Sequence, residues 1–385
     1  MQRRLTRVVC AVLALAPAMA GCSAVFGLDS PEHTLADAAD DAPGPVGDSG
    51  PDGCASYSTI VNTCTLDYAN TDVDLPIGAS FDTDSLTFVP SVNITTSEVQ
   101  TPTGTAVLIA VRSIHLQQFG NFRVTGSKPL IVAARDMIVV DGTVDVSSGG
   151  AGARLCNAGP GQNDDGGAGG GAGASFSGTG GAGGNGDSDG SVSSTGGPTN
   201  APVARPAGPL GGCRGGDGGD SNAQGGAGGS GGGTIAVISA RIEIGSMGQI
   251  NANGQGGRGG NNDDSGAGGG GSGGFILLES PMINLAGKLA ANGGGGGEGA
   301  GANDGNVGAT ATMSTTRASG GSGNAANGGD GGSGGASVTP NGNPSPDFAP
   351  GGGGGGGGGV GFIALSASRT ISGNAVVSPP PSTWP

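Results

Sequence analysis

Residues equipped for chemistry are sparse in this chain of 385, and their spacing limits what they can do. There are two histidines, His33 and His115, and neither has a serine or cysteine at a spacing that builds a nucleophile–base pair. Carboxylates and cations clustered on an outer strand face would suit polysaccharide cleavage. The candidates are Arg112, Arg135, Asp136, Asp141, Asp145 and Arg241, and they do not reduce to one acidic pair whose separation could be argued. They read as solvated positions of alternating strands. Gly215-Gly216-Asp217-Gly218-Gly219-Asp220-Ser221-Asn222-Ala223 follows a calcium-binding nonapeptide until Asn222 takes the apolar position, and no second copy follows. Its carboxylates, like Asp187, Asp189, Asp263 and Asp264, read as solubilising loop residues. Gly-x-Gly-x-x-Gly strings arise here from composition, without the Lys-Ser/Thr end or β-α-β frame of a nucleotide loop. No catalytic residue, metal ligand or cofactor is assigned.

The cysteines say more. Arg3, Arg4 and Arg7 precede the apolar run Val8 to Ala16 and then Met19-Ala20-Gly21-Cys22. That order is a secretory signal over residues 1–21, too short for a comfortable span. Ala20-Gly21-Cys22 resembles the bacterial lipobox, with Met19 in place of the usual leucine. The resemblance implies that Cys22 is lipidated and becomes the N-terminus, giving stable membrane anchoring. Ser23, rather than aspartate, implies by the same resemblance the outer membrane. The alternative is ordinary cleavage, with Cys22 a plain thiol. Setting Cys10 and Cys22 aside leaves Cys54, Cys64, Cys156 and Cys213, an even count that favours two disulfides in an exported protein. Local pairing, Cys54–Cys64 and Cys156–Cys213, is preferred. A four-thiolate metal site lacks any C-x₂-C spacing.

Composition restricts the fold. With 90 glycines and 3% aromatic residues, the chain cannot fill a conventional core of its length. Its formal charge of −15 falls to −18 once the three signal arginines are gone. Such a chain repels nucleic acid and anionic bilayers. Residues 22–53 interleave aspartates with Pro31, Pro43, Pro45 and Pro51, as an extended acidic tether does. Residues 54–104 are rich in Thr, Val, Ile and Phe and read as an N-terminal β cap.

From residue 105 to 378 one pattern recurs five times, beginning at Val107, Ile131, Ile235, Ile276 and Ile363. Apolar residues lie two apart, a second pair follows about seven positions on, and then come a glycine step and two more inward residues. Short units that cannot bury their own apolar face must stack, so the expected fold is all-β: a parallel β-solenoid of about five rungs. In the expected alignment Thr125, Ser147, Asn253, Asn292 and Ser378 form one polar column, and Arg123 lies beside Asp145. Glycine-rich insertions at 149–233, 254–274 and 293–361 leave at one corner, and 379–385 is a Pro-rich tail. The insertions are either disordered linker or packed polyglycine-II helices, and their rooting on adjacent rungs favours packing.

Gly273 to Glu279 and Leu289-Ala290-Ala291-Asn292-Gly293-Gly294 resemble repeats of glycine-rich exported bacterial proteins, including lipoproteins of predatory soil bacteria. The Gly-Gly-Ala and Gly-Gly-Asn runs are similar in composition to mycobacterial PGRS domains. The expected function is a non-catalytic, lipid-anchored cell-surface protein, structural or adhesive, whose partners are the membrane and surface polysaccharide or other cells, not nucleic acid. The alternatives are a solenoid carbohydrate-active enzyme and an ice- or calcium-binding protein.

Overall fold

The computed structural model describes residues 54–187, 194–323, 325–345 and 350–385. The expected signal, Cys22, the tether, His33 and Asp189 lie outside the described residues. No helix occurs among those described, and the strands in chain order are as follows. They begin with β1 (Ala69–Leu75), β2 (Ser80–Asp82), β3 (Thr87–Val89), β4 (Thr96–Thr101), β5 (Gly104–Leu116) and β6 (Asn121–Thr125). Next come β7 (Leu130–Val140), β8 (Thr143–Asp145), β9 (Thr234–Ile244), β10 (Gln249–Asn251), β11 (Phe275–Glu279) and β12 (Met282–Leu285). The last are β13 (Lys288–Ala290), β14 (Phe362–Leu365), β15 (Arg369–Ile371), β16 (Val376–Ser378) and β17 (Ser382–Thr383).

They form two mostly parallel sheets. The first runs β1-β5-β7-β9-β11-β14-β17, and the second runs β16-β13-β10-β8-β6-β2-β3. Each passage of chain adds to the first sheet and then to the second, so like positions stack. β5, β7 and β9 each cross a bulge, after Val111 and after Ala134, where the strand bends. In later layers the same course is broken into β11 and β12, then β14 and β15. A glycine step separates the sheets. The Thr143 amide donates to the Gly120 carbonyl at 2.8 Å, and Gln249 to Gly142 at the same distance. A Cβ at Gly142 would sit 2.4 Å from the Gly120 oxygen, so the corner admits no larger residue.

The core between the sheets is largely aliphatic, with Phe81, Phe88 and Phe122 packed together within it. Val107, Leu130, Ile235, Ile276 and Ile363 stack into one buried column. Here the expected alignment is corrected by one residue, because Leu130 rather than Ile131 occupies the second layer. With a period of two, that step turns Ile131 and Ala133 outward. They remain buried in a second apolar cluster with Phe176, Phe275, Ile60 and Trp384. A strand buried on both faces offers two equally apolar registers, and periodicity alone cannot choose between them. Ile371 differs too: it aligns with Leu285 yet is 40% exposed, since among the described residues no strand covers β15 beyond it.

The ends also carry more than expected. Within the expected cap, β1 and β2 pair in parallel with β5 and β6 and so add a layer. Only β3 and β4 are antiparallel. In the expected tail, β17 pairs with β14 and carries Trp384 into the second apolar cluster at 4% exposure.

The glycine insertions are held by backbone hydrogen bonds of threefold period. The returning arm Gly266–Gly274 shows it completely. Gly266, Gly269 and Ser272 donate to the carbonyls of Gly219, Gly216 and Cys213. Ala267, Gly270 and Gly273 donate to Gly353, Gly356 and Gly359, and Gly268, Gly271 and Gly274 to Arg258, Gln255 and Ala252. Consecutive residues thus face three different arms, and each fourth residue returns to the first. Its glycine positions leave no room for a side chain: a Cβ on Gly270 would lie 2.1 Å from the Gly294 oxygen.

Candidate functional site

The outer face of the second half of the first sheet places ionisable side chains from different layers together. Parallel register sets Asp72 beside Ser113 and Asp74 beside His115. His115 lies between two carboxylates, with Nδ1 3.3 Å from Asp74 and Nε2 3.3 Å from Asp141. Arg112 donates to Asp72 through both Nε and Nη2. These bonds from Arg112 hold the Asp72 carboxyl below its usual range, and Asp72 raises the Arg112 guanidinium in return. Asp72, Asp74, Ser113, His115, Met137 and Val139 line a shallow cleft of about 240 Å³.

The chemistry available there is proton transfer and hydrogen bonding. Ser113 stands in register with Asp72, two residues before His115. The other candidates are dispersed among local partners. Arg135 pairs with Asp136 at 3.6 Å, Arg241 with Glu243, and Arg123 with Asp145 at 3.0 Å. The last pair sits in direct register between β6 and β8.

A second assembly lies where the arms turn. The Asp220 amide donates to Asn163 Oδ1 at 2.9 Å, and the Ser221 hydroxyl to the Asp263 carbonyl. Asn261 Nδ2 donates to the Gln224 carbonyl at 2.5 Å, and the Asn262 amide to Asp304 Oδ1 at 2.8 Å. Four turns from all three insertions therefore lie side by side. Asn163, Asn222, Asn262, Asp263, Asn303 and Asp304 are exposed there. Asp217 belongs to the same insertion but not to a nonapeptide site. Burial works to raise its carboxyl, yet bonds from Arg214 and the Gly228 amide keep it below the usual value. Among the described residues no group of three or more His, Cys, Asp or Glu is placed to hold a metal ion.

The four cysteines pair locally, Cys54 with Cys64 and Cys156 with Cys213, at Cα separations of 5.9 and 5.4 Å. The expected polar column is hydrogen-bonded along the stack from Asn253 to Ser378, whereas the Thr125 and Ser147 hydroxyls bond to Asp82 and Arg123. The Asn292 amide donates to Asn253 Oδ1 at 2.8 Å, and the Ser378 hydroxyl to Asn292 Oδ1 at 2.6 Å. Ser378 stands opposite Ala290, two residues from the expected alignment, and so reaches Asn292 diagonally.

Two buried carboxylates were not singled out from sequence. Glu279 accepts from Ser58 and Thr59, and Glu298 from the amides of Asn306 and Ala325 at 2.8 and 3.0 Å. The only signal in the sequence is a glutamate amid apolar or glycine text. Asp74 was missed because it lies 41 residues before His115, and only the register of β1 joins them. No helix among the described residues is long and apolar enough to cross a membrane. No family model matches the chain, and no curated protein or solved structure is significantly similar to it.

Proposed function

We propose that this chain is a non-catalytic, lipid-anchored envelope protein, in which a parallel β-solenoid carries a bundle of polyglycine-II arms. The polar turns of those arms make contact with surface glycans, matrix or other cells. The observation that carries the reading is the threefold hydrogen bonding of Gly266–Gly274, which ties all three insertions together and brings their turns into one polar surface. Exposed asparagine and aspartate side chains supply donors and acceptors that suit sugar hydroxyls. Cys22, if acylated, would hold the assembly at the outer membrane.

The test is retention of cells displaying the full chain on immobilised polysaccharides and on other cells. The variant Asn222→Ala, Asn262→Ala, Asn303→Ala should lose retention while melting as the natural chain does. Retention equal to that of cells lacking the chain, on every surface tried, sinks the proposal.

The His115 cluster favours a second reading, a carbohydrate-active enzyme working in the cleft beside Asp74. That reading requires product release from a polysaccharide, abolished by His115→Ala.

A further inference from the structure

At the root of the first insertion, a disulfide lies beside a guanidinium. Arg154 Nη2 is 3.4 Å from Cys213 Sγ, while its Nε donates to the Gly211 carbonyl at 2.7 Å. Its guanidinium also lies over the Phe176 ring, 5.3 Å from the centroid. Arg154 is half-buried and has no carboxylate partner among the described residues. Loss of water lowers its basicity, the mark of a cation without an anion nearby. The two cysteines differ in setting. Cys213 is 5% exposed, whereas Cys156 is open to solvent. Both line a cleft of about 210 Å³ with Arg154, Ser175, Asn200 and Val203.

We propose that Cys156–Cys213 is an exchangeable disulfide, opened by a dithiol that attacks Cys156 and expels Cys213 as a thiolate held by Arg154. An incoming thiolate forms a bond to Cys156 Sγ, the bond between the two protein sulfurs breaks, and its electron pair leaves on Cys213 Sγ. The second thiol of the reductant, once deprotonated, attacks the mixed disulfide. It expels the Cys156 thiolate, which takes a proton from water. The reductant ends as a disulfide and the protein as the Cys156 thiol and the Cys213 thiolate held by Arg154, the remaining proton of the dithiol having passed to water. A leaving thiolate beside a cation departs faster and is the better product, and here it also supplies the anion that Arg154 lacks. Cys156 holds φ at 49°, a left-handed conformation uncommon for a residue with a Cβ, and opening lets that backbone relax. The consequence is mechanical. Cys213 stays joined to Ser272 on the central returning arm through its own backbone amide and carbonyl, so opening frees the Cys156 side of the first insertion from that anchor.

The site of attack is read on the natural full-length chain, treated with glutathione at neutral pH, quenched in acid and mapped by mass spectrometry. The glutathione adduct of this bond is expected on Cys156; an adduct on Cys213, or none, overturns the proposal. Opening by dithiothreitol is then timed in Arg154→Met and Arg154→Lys, with Cys54–Cys64 as internal reference. Arg154→Met should slow opening roughly three- to tenfold with the reference unchanged, and Arg154→Lys should restore most of the rate. Opening of Arg154→Met at the natural rate refutes it, and the adduct map decides alone if that variant does not fold.

Discussion

Glu279 Oε1 accepts both hydrogen bonds that Thr59 offers, from its amide and from its hydroxyl, each at 2.8 Å across 220 residues of chain. The other carboxylate oxygen takes the Ser58 hydroxyl at 2.5 Å, and Trp384 Nε1 donates to the Thr59 hydroxyl at 2.6 Å. One buried carboxylate thereby closes the segment after Cys54, the end of β11 and the final strand over the outer apolar cluster. Glu279→Gln puts an amide donor where a hydroxyl donor already points. Leaving such groups unpaired costs about 1–3 kcal/mol. The expected result is a lower Tm with Trp384 fluorescence shifted toward that of exposed tryptophan; an unchanged melt would show that this clasp contributes nothing.

Gly270→Ala and Gly373→Ala make a matched pair. The first places a methyl 2.1 Å from the Gly294 carbonyl oxygen, whereas a Cβ at Gly373 meets nothing within 4 Å. Overpacking of this kind costs typically about 1–3 kcal/mol, and here the obstacle is backbone held by its own hydrogen bonds. Gly270→Ala should therefore lower Tm and hasten proteolysis within 254–274, while Gly373→Ala should be near neutral. Equal melts for the two would refute the packed arrangement of the arms.

How far the sequence reaches follows from which positions are constrained locally. Ile276, Leu278, Ile283, Leu285, Leu289 and Ala291 were placed inward from periodicity alone, and all lie in the main core. The Arg123–Asp145 pair was legible because the glycine step fixes the register of β6 and β8. Ile131 was misplaced because its strand is apolar on both faces. The extra layer of β1 and β2 went unseen because Val73, Leu75 and Phe81 stand among aspartates and threonines. In the site, Asp141 and His115 were visible as residues, but their contact belongs to register between layers.

Asp82 gives a pH-dependent prediction. The Ser85 amide first, then the Ser85 hydroxyl, the Asp84 amide and the Thr125 hydroxyl hold its carboxyl below the ordinary 3.8, against a smaller opposing effect of desolvation. A depressed folded-state pKa contributes stability that is fully present above the unfolded value and is lost as pH falls through the folded one. Asp82→Asn should be less stable than the natural chain at neutral pH, and the gap should close below about pH 3.8. Urea melts across pH 2–7 measure it. A gap that stays constant down to the lowest pH would mean that the charge of Asp82 does not matter.

Asn292 joins the stacked sheets to the third insertion. Its side chain donates to the carbonyls of Thr312 and Ser314 at 3.1 and 2.8 Å, accepts from Ser378, and is wholly buried. Removing it takes a partner from two carbonyls and from the Ser378 hydroxyl at once, so Asn292→Ala should cost more than the roughly 1 kcal/mol of one ordinary hydrogen bond. The loss should also be local. Arg317 follows the pinned turn and donates to the carbonyls of Gly334, Ser333 and Asn341. Once the turn at 312–314 is released, the peptide bond after Arg317 should become a preferred trypsin site. Ser378→Ala, which removes one of the three bonds, should fall between Asn292→Ala and the natural chain in both Tm and cleavage rate. If Asn292→Ala resists trypsin at Arg317 as the natural chain does, the turn is held by the glycine arms rather than by this ladder.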